Sequence, residues 1–573
     1  MGYSRIFWEE FIVKYGGIPK VISVVAGLST TMMTQSMEDA HSLHSRIMYH
    51  LEYDSLQDLF HWMHSYFNTF PDSLKPCIFY LTIFPCAHVI RRRRIVRRWI
   101  AEGYSRDSHN QSVEENGEKH FSKLLELSLT HQVSSQSPSS VTSTAYNVDS
   151  VRMVQFQVNS FIREYIISRQ MEENLVFELG DNYAVTTQRT GRHLVILKNW
   201  DRDEIKYKRI DFSRLRSLTV FGKWKSFFIS KSMKMLRTLD LEDVSGSVDY
   251  EDLEKIVKWL HRLKFLSLRG RSEIYHLPSS LGHLRQLQTL DIRHTSIVTL
   301  PKSITKLQKI QYIRAGTTTT NIELSASAPP ASPSSRFCKS RRHIVGVKVP
   351  RGVGELTGLH TLGVVNVAAS GKKVILDVLN KLTQLRKLGV SGINRNNTRS
   401  LPLAFHDNLE SLSMQLDKDN EDCLGNVMLP ANLRSFKLYG LGDTLPSMFR
   451  CTKVRKLGLE VDTLSNMDVW MLSDLPELLQ SLVFMKLNIL EIACSSSWLH
   501  VTFGSESTQN LELLKIDCSS ACYQLTGLNY LSELKQVWLK GTNDEELKTD
   551  LENQLVNHPK TPAVKLEALP DSS

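Results

Sequence analysis

The chain has 573 residues, too many for one ordinary core, which indicates two or three domains or an extended repeat array. Hydrophobic residues make up 41% and charged residues 23%, which excludes a wholly disordered chain. The net charge of +10 arises from 70 basic and 60 acidic residues, an excess too small to define a nucleic-acid-binding protein by itself. The cysteines are scattered without a C-x-x-C pair, which favours free thiols over zinc or redox chemistry.

The start of the sequence carries no apolar leader of the kind that directs secretion. We therefore expect a protein without a membrane span, located in the cytoplasm, with the nucleus and the periphery of the plasma membrane as alternatives.

Three helices are predicted in the first region. Apolar residues recur at helical spacing in "FPDSLKPCIFYLTIFP", residues 70–85, where Pro85 would end the helix. A second helix is predicted in "VIRRRRIVRRWIAEG", residues 89–103, and a third in "VEENGEKHFSKLLELSLTHQV", residues 113–133. Three short helices followed by extended segments are compatible with a winged-helix domain.

The arginines of the second helix could form a nucleic-acid or nuclear-import patch, could simply be solvated, or could contact protein. Ile95, Val96, Trp99 and Ile100 give this segment one apolar side, which predicts a docked helix and not a free basic tail. We predict that residues 91–94 are the solvated start of the helix and that their change to glutamine leaves folding intact. Positive charge there opposes the helix dipole, so an acidic neighbour would be favourable.

From Leu215 onward the pattern L-x-x-L-x-L recurs in steps of about 21 to 27 residues, the period of leucine-rich repeats. Each copy predicts one short strand whose leucines enter a shared apolar column. The copies begin at Leu215, Leu236, Leu263, Leu287, Ile310, Leu359, Leu385, Leu409, Leu433 and Val454, with less regular copies at Leu511 and Leu534.

Two stretches interrupt the repeats. Residues 316–345 are rich in Ser, Thr, Pro and Ala, and we predict a disordered insertion there. Between Val454 and Leu511 either Leu478 or Leu487 could start the strand, and the sequence leaves both open. Earlier in the chain, the polar run at residues 134–147 is predicted to be a loop.

The residues between the leucines are predicted to point into the concave face of the repeats. Aromatic and arginine side chains on such a face suit protein recognition, and their basic excess favours an acidic partner surface. The predicted partner-binding residues are Asp240, Phe265, Arg269, Asp291, Arg293, Tyr312, Arg314, Lys437 and Tyr439.

No catalytic or metal site is predicted. His41, His44 and His50 are spaced by three and then six residues, without the glutamate of an H-E-x-x-H motif.

Together, the text "FPDSLKPCIFYLTIFPCAHVIRRRRIVRRWIAEGY", the third helix and the repeats resemble plant disease-resistance proteins of the nucleotide-binding, leucine-rich repeat (NB-ARC, or NLR) class with an N-terminal coiled coil. The resemblance extends to the family's C-terminal cap, similar to "LNYLSELKQVWLKG" and the residues after it.

The resemblance also assigns nucleotide-binding positions. "GGIPK" is similar to the family's G-L-P-L motif, with Gly16, Gly17 and Pro19 at matching positions and Lys20 in place of leucine. The family's M-H-D triplet, which touches ADP, aligns with residues 158–160, where Asn159 stands in place of the histidine and Ser160 in place of the aspartate. No P-loop of the form G-x-x-x-x-G-K-[ST] occurs in the chain, so we expect no bound ADP or ATP and no enzymatic activity.

The predicted fold is α/β: a helical and winged-helix region, then a leucine-rich repeat solenoid. The predicted domains are a helical remnant at 1–60 with the G-L-P-L text, a winged-helix part at 61–200, the solenoid at 205–560 and a C-terminal tail at 561–573. The resemblance places the ATPase lobe before Met1 and implies an N-terminally truncated chain.

The resemblance implies a recognition or regulatory module of plant innate immunity. Its expected protein partner is a pathogen effector, a guarded host protein or another protein of the class. A winged-helix nucleic-acid-binding protein and a substrate adaptor of a ubiquitin ligase are the alternatives.

Overall fold

A computed structural model describes residues 14–15, 18–33, 47–49, 53–86, 88–107, 111–132, 155–168, 176–180, 191–198, 200, 204–207, 210–320, 342–398, 406–417, 429–441, 454–461, 487–494, 498–503, 510–518, 522–540 and 545–567. The chain forms two compact units. The first unit comprises Met1–Ser247 with Trp259–Leu266, and the second comprises Val248–Lys258 with Ser267–Ser573.

The helices of the first unit are α1 (Pro19–Met33), α2 (Asp54–Asn68), α3 (Lys75–Leu81), α4 (Arg92–Glu102), α5 (Val113–Glu126), α6 (Ser160–Ser168) and α7 (Glu204–Tyr207). All three predicted helices are confirmed, as α3, α4 and α5. The start of α5 is fixed by a capping box between Ser112 and Glu115. Gly103 ends α4 in the left-handed region at φ 83°, a backbone conformation that glycine adopts without strain.

Helices α3 and α5 are shorter than predicted. Residues 82–84 follow α3 as turns before Pro85 is reached. Beyond α5 the backbone turns at Ser128, with φ 55°, and Thr130–Gln132 becomes a strand. The leucines of this segment keep a helical spacing beyond the end of α5, so their spacing alone overestimates the length of the helix.

A small antiparallel sheet accompanies these helices. Its strands are β1 (Ile90–Arg91), β2 (Thr130–Gln132) and β3 (Gln155–Val158), in the order β1-β3-β2. Phe156 of β3 is fully buried and packs edge-on against Phe121 of α5, with ring centroids 4.7 Å apart. This sheet and helices α3 to α5 form the predicted winged-helix region.

Parallel strands begin within the first unit and earlier than predicted. The strands β4 (Val176–Leu179), β5 (His193–Ile196), β6 (Ser217–Val220) and β7 (Thr238–Asp240) pair in chain order, all parallel. Since β4 and β5 lie before residue 205, the parallel pairing of strands begins before the predicted start of the solenoid. Their text, "VFEL" and "HLVI", lacks the repeated leucine spacing that reveals the later strands.

The following elements are helix α8 (Tyr250–Trp259) and strand β8 (Phe265–Ser267). The main parallel sheet of the second unit then contains β9 (Thr289–Asp291), β10 (Tyr312–Arg314), β13 (Thr361–Asn366), β14 (Lys387–Ile393), β15 (Ser411–Leu416), β16 (Ser435–Leu441), β17 (Lys456–Val461), β18 (Ile489–Cys494), β20 (Leu513–Cys518), β22 (Gln536–Lys540) and β23 (Ala563–Glu567). Leucine-type side chains at alternate positions are buried, as in Leu438, Leu457 and Leu490, so the residues between them share the opposite face.

The remaining strands form two small sheets. The strands β11 (Thr317–Thr320) and β12 (Arg342–Val345) pair antiparallel, and β19 (Trp498–Thr502) pairs parallel with β21 (Cys522–Thr526). The helices of the second unit are α9 (Val367–Ser370), α10 (Lys372–Lys381), α11 (Arg395–Thr398) and α12 (Glu545–Gln554).

Three predictions for the repeat region change. The ends of the predicted disordered insertion are ordered as β11 and β12, because their backbones satisfy one another in a ladder; residues 321–341 lie outside the described part. The open register is decided for Leu487, since β18 pairs residue by residue with β17. The predicted tail contains β23, which extends the sheet from β22. The predicted loop at 134–147 lies outside the described residues.

Within the described part of the chain, each helix is too short or too polar to cross a lipid bilayer.

Gly117 tests the packing of α4 against α5. A Cβ at this position would lie 2.8 Å from Cγ1 of Val96, whereas a Cβ at Gly27 of α1 would meet nothing within 4 Å. We expect Gly117→Val to lower the free energy of unfolding by about 1 to 3 kcal/mol through overpacking. Gly27→Val is the matched control and should change it by less than about 0.5 kcal/mol. Urea denaturation measures both, and equal effects would contradict the packing described.

Candidate functional site

A cluster of arginines and carboxylates lies inside the first unit. The arginines come from β1 and α4, and the carboxylates come from β7 and the two residues after Leu241, in the text "LDLED". We call this set the arginine–carboxylate cluster; its members are Arg91, Arg94, Arg98, Asp240, Glu242 and Asp243.

Asp240 is the centre of the cluster. Its Oδ2 accepts hydrogen bonds from Nε of Arg94 at 2.7 Å and from Nη1 of Arg98 at 2.9 Å. The side chains of Asp240 and Arg98 are fully buried, and that of Arg94 is 3% exposed. Two guanidinium groups therefore share one desolvated carboxylate, an arrangement that is stable only while every partner is present.

The surrounding groups accept the other hydrogen bonds of the arginines. Nη2 of Arg94 donates to Asp243 at 2.6 Å, and Arg91 pairs with Glu242. Nη2 of Arg98 donates to Oγ1 of Thr219 at 2.6 Å, and its Nε donates to the Tyr80 hydroxyl at 2.9 Å. Hydrogen bonds to charged groups of this kind are the stronger ones in proteins.

The electrostatics of the cluster are dominated by burial and by close opposite charges. Burial alone would lower the pKa of Arg94, but Asp240, Asp243 and Glu242 hold it well above its ordinary value. The pKa of Asp243 is lowered, because the charge and hydrogen bond of Arg94, together with the nearby His88, outweigh burial. Burial is the largest influence on Glu242 and raises the pKa of that carboxyl group. The three carboxylates thus keep Arg94 charged.

A second layer continues from the last turn of α4. Oε1 of Glu102 accepts a hydrogen bond from Thr238 at 2.7 Å, and the backbone carbonyl of Glu102 accepts one from Arg237 at 2.9 Å. Burial raises the pKa of Glu102 to about 7, against the opposing effects of Thr238, Arg237 and Arg98. Its other carboxylate oxygen meets no hydrogen-bond donor among the described residues.

A neutral imidazole borders this layer. His193 of β5 contacts the Tyr104 hydroxyl through Nε2 at 2.7 Å and the Ser217 hydroxyl through Nδ1 at 2.9 Å. Burial, followed by the charge of Arg98, lowers the pKa of His193 well below its ordinary value. The side chain therefore acts as a hydrogen-bond relay and adds no positive charge to the arginines.

The arginines are placed differently from the prediction. Arg93 is exposed as predicted, but Arg94 is buried and Arg91 and Arg92 are half-buried, so the predicted solvation is confirmed for Arg93 and wrong for Arg94. The physical reason is the acidic segment formed by β7 and the residues directly after it, which is far from the helix in sequence. The favourable acidic neighbour that the helix dipole suggested is present.

The predicted nucleotide-binding positions are only partly described. Gly16 and Gly17 lie outside the described residues, and Pro19 is exposed as the first residue of α1. Asn159 is buried, and its Oδ1 accepts a hydrogen bond from the backbone of Ile162 at 3.1 Å, which caps α6. Within the described part of the chain, no group of three or more acidic, histidine or cysteine side chains could hold a metal ion.

Four of the predicted partner-binding residues lack the accessibility that the prediction requires: Asp240, Phe265, Asp291 and Tyr312 are buried. Asp240 is used inside the chain by Arg94 and Arg98. Asp291 accepts hydrogen bonds from Arg293 at 2.7 Å and from Arg314 at 3.2 Å, so these arginines are held by a neighbouring carboxylate. Arg269, Arg293, Arg314, Lys437 and Tyr439 are half-buried and keep part of their surface.

The predicted residue Lys437 belongs to a charged group on the sheet of the second unit whose other members were not predicted. Nζ of Lys437 lies 2.7 Å from Oε2 of Glu491, and Nζ of Lys456 lies 2.5 Å from Oε1 of the same carboxylate. Nζ of Lys515 lies 4.2 Å from the centroid of the Trp538 ring. Glu491, Lys515 and Trp538 occupy the same position of the repeat as Lys437, and Lys456 lies two positions earlier. This shared position is the sequence signal that could have revealed them.

Taken together, fold and site define a leucine-rich repeat protein with a winged-helix domain in its first unit. The chain matches the family described as "Leucine-rich repeat region" over residues 214–331 and 336–564. It also matches the "Disease resistance protein Winged helix domain" over residues 83–150. The chain belongs to the leucine-rich repeat family, and its winged-helix segment is similar to that of disease resistance proteins.

Relatives from two plants support this assignment. Disease resistance protein Pik-2 of Oryza sativa subsp. japonica is 28% identical over 490 residues, which cover 82% of this chain and 46% of Pik-2. Disease resistance protein RGA4 of the same plant is 25% identical and covers 71% of this chain and 39% of RGA4. Probable disease resistance RPP8-like protein 2 of Arabidopsis thaliana is 26% identical, with coverage of 70% and 42%. The chain spans less than half the length of these relatives.

Arg94 and Arg93 provide a matched test of the arginine–carboxylate cluster. We expect Arg94→Gln to lower the free energy of unfolding by about 3 to 5 kcal/mol, because the buried carboxylate of Asp240 loses one of its two partners. Arg93→Gln removes the same charge from an exposed position and should change it by less than about 0.5 kcal/mol. Urea denaturation followed by tryptophan fluorescence measures the difference. Small effects of both variants would show that the cluster is solvated.

Glu102 predicts a specific pH dependence. Its folded pKa of about 7 lies above the ordinary value of 4.5, so the folded chain binds more protons than the unfolded chain between these values. The contribution to stability is present below pH 4.5 and is lost as the pH rises through about 7. Relative to Glu102→Gln, the wild-type free energy of unfolding should fall by up to about 1.4 kcal/mol per pH unit in this window. Denaturation between pH 5 and 8 measures the slope, and identical slopes would contradict the assignment.

Proposed function

We propose that the chain acts in plant disease resistance as a protein-recognition and regulatory module. Its proposed partner is a pathogen effector, a guarded host protein or another disease resistance protein, met inside the cell. The relatives provide the first support, because they are disease resistance proteins by name and the similarity covers most of this chain.

The observation that carries the proposal is the arginine–carboxylate cluster. It fastens α4 of the winged-helix region to β6 and β7, the strands that begin the regular repeats, through the buried partners Asp240 and Thr219. Because these contacts are desolvated, the helix and the strands behave as one piece in the first unit. A force or a rotation applied to these strands would be transmitted to the winged-helix region, which is what a regulatory module requires.

The same observation weighs against the nucleic-acid alternative. Phosphate binding needs accessible lysine and arginine side chains. Arg94, Arg97 and Arg98 are buried, and the cluster holds Arg94 and Arg98 on carboxylates. The residues before the regular repeats match the winged-helix domain of disease resistance proteins, which favours the defence role over a ubiquitin-ligase adaptor.

We propose that the recognition role uses the exposed parts of the repeats and needs no chemistry of the chain's own. Of the nine predicted partner-binding residues, Arg269, Arg293, Arg314, Lys437 and Tyr439 stay candidates, because each keeps part of its surface. Asn159 serves as a helix cap, and this use competes with the nucleotide contact that its position in the sequence suggests.

Disruption of the gene in its source plant tests the proposal. We expect faster growth of at least one pathogen isolate in inoculated leaves. Reintroduction of the wild-type chain or of Arg93→Gln should restore resistance, whereas Arg94→Gln should fail to do so at equal protein level, because the connection between α4 and the strands is broken. Growth counts of the pathogen and immunoblots of the leaves provide the measurement. Unchanged growth of every isolate tested would refute the defence role.

A further inference from the structure

The sheet of the second unit carries a stripe of lysines that is built around one glutamate. We call it the lysine face; its members are Lys437 of β16, Lys456 of β17, Glu491 of β18, Lys515 of β20 and Trp538 of β22. The parallel register places Lys437, Gly458, Glu491, Lys515 and Trp538 at equivalent positions of successive strands, with Lys456 two residues before Gly458. All of them point away from the buried leucines.

Glu491 organises the lysines. One carboxylate oxygen of Glu491 accepts a hydrogen bond from Lys437 at 2.7 Å, and the other accepts one from Lys456 at 2.5 Å. The charges of both lysines outweigh the effect of burial and lower the pKa of Glu491 to about 2, so the carboxylate stays ionised at every physiological pH. The two lysines are each 32% exposed, which leaves part of their surface open.

Gly458 lies beneath the side chain of Lys437. Lys437 must cross β17 to reach Glu491, which lies two strands away, and it does so over the bare backbone of Gly458. A Cβ at this glycine would lie 3.2 Å from Cγ of Lys437 and 3.6 Å from its Cδ. The direction of the Lys437 side chain is therefore fixed before binding, so the side chain loses less conformational entropy when a ligand binds.

Positive charge on the lysine face exceeds negative charge. Three lysines surround one glutamate, and Lys515 forms no ion pair with a side chain that the structure describes; its ammonium group lies over the ring of Trp538 at 4.2 Å. Burial is the largest influence that lowers the pKa of Lys456, and the charges of Lys437 and Lys515 add to it against Glu491. An additional carboxylate would relieve this crowding of like charges.

The shape of the charged area selects the form of the ligand. The next column of the same face carries Glu460 and Asp517 with Lys540, so the positive excess is confined to a narrow stripe across the strands. From β16 to β22 the stripe crosses five neighbouring strands, about 19 Å, which equals about six residues of extended chain. A broad polyanion such as a duplex would meet the acidic column, whereas an extended peptide would not.

We propose that the lysine face binds an extended acidic peptide segment of a partner protein, with carboxylates from one side of the peptide on Lys456 and Lys515 and an apolar residue on Trp538. This inference rests on the proposed recognition function and specifies the chemistry of the partner. Aromatic anchors beside charges that are already oriented are typical of protein interfaces.

The experiment measures the fluorescence anisotropy of a labelled decapeptide of alternating Glu and Ser, titrated with the full chain. The same peptide with Gln in place of Glu is the ligand control. We expect the Glu peptide to bind and its affinity to fall when salt rises from about 0.05 to 0.3 M, because the charges are near the surface. Equal binding of the Gln peptide, or no binding of either, would overturn the inference.

Two variants with opposite expected signs separate recognition from damage to the fold. Lys456→Gln with Lys515→Gln should weaken binding about tenfold, whereas Lys372→Gln with Lys373→Gln, exposed on α10, should change it by less than about twofold. Glu491→Gln should tighten binding severalfold, because it frees two lysine charges. A destabilised fold cannot produce tighter binding, so weaker binding by this variant would contradict the proposal.

A single-stranded decathymidylate provides the competing ligand class. If it binds more tightly than the Glu peptide and loses affinity in the same lysine variants, the face recognises nucleic acid and the proposal of a peptide is wrong. Failure of the peptide test leaves the defence role to be judged by pathogen growth in leaves. Conversely, peptide binding by a chain whose disruption has no effect on pathogen growth would separate the two proposals.

Discussion

The structure of the first unit depends on one desolvated carboxylate. Asp240 has no access to water and faces the guanidinium groups of Arg94 and Arg98. Neither charge could be buried alone, because the loss of hydration would cost several kcal/mol. The position of α4 on the parallel strands is therefore fixed by these ion pairs. The buried arginines of the helix require a carboxylate, and the buried carboxylate of the strand requires the arginines.

This interdependence explains which parts of the fold were predictable from the sequence. The helices and most repeat strands follow from local spacing, since the last two leucines of L-x-x-L-x-L are two residues apart and share one side of a strand. The partner of Arg94 lies 146 residues further along the chain, and no local pattern connects "RRRR" with "LDLED". The helix dipole predicted that an acidic neighbour would be favourable, but nothing in the local sequence identified that neighbour.

The candidate recognition residues show the same limit. Position within the repeat predicted correctly that Lys437 lies opposite the buried leucines, but it treated Asp291 and Tyr312 alike although both are buried. Exposure of a residue on this face depends on its neighbours across the strands, as in the contacts of Arg293 and Arg314 with Asp291. Strands β4 and β5 were missed because Phe177 and Leu194, which align with Leu218 of β6, have no leucine three positions before them, so the L-x-x-L-x-L pattern is broken.

The ribbon of β11 and β12 has a separate consequence. Thr320 and Arg342 are paired partners, so the chain leaves the sheet and returns to it at one point. Lengthening the segment between them adds only a slowly rising closure entropy. The spacing of β10 and β13, which pair directly, does not depend on that segment. A reporter or an epitope placed between Thr320 and Arg342 would therefore leave the order of the repeats undisturbed.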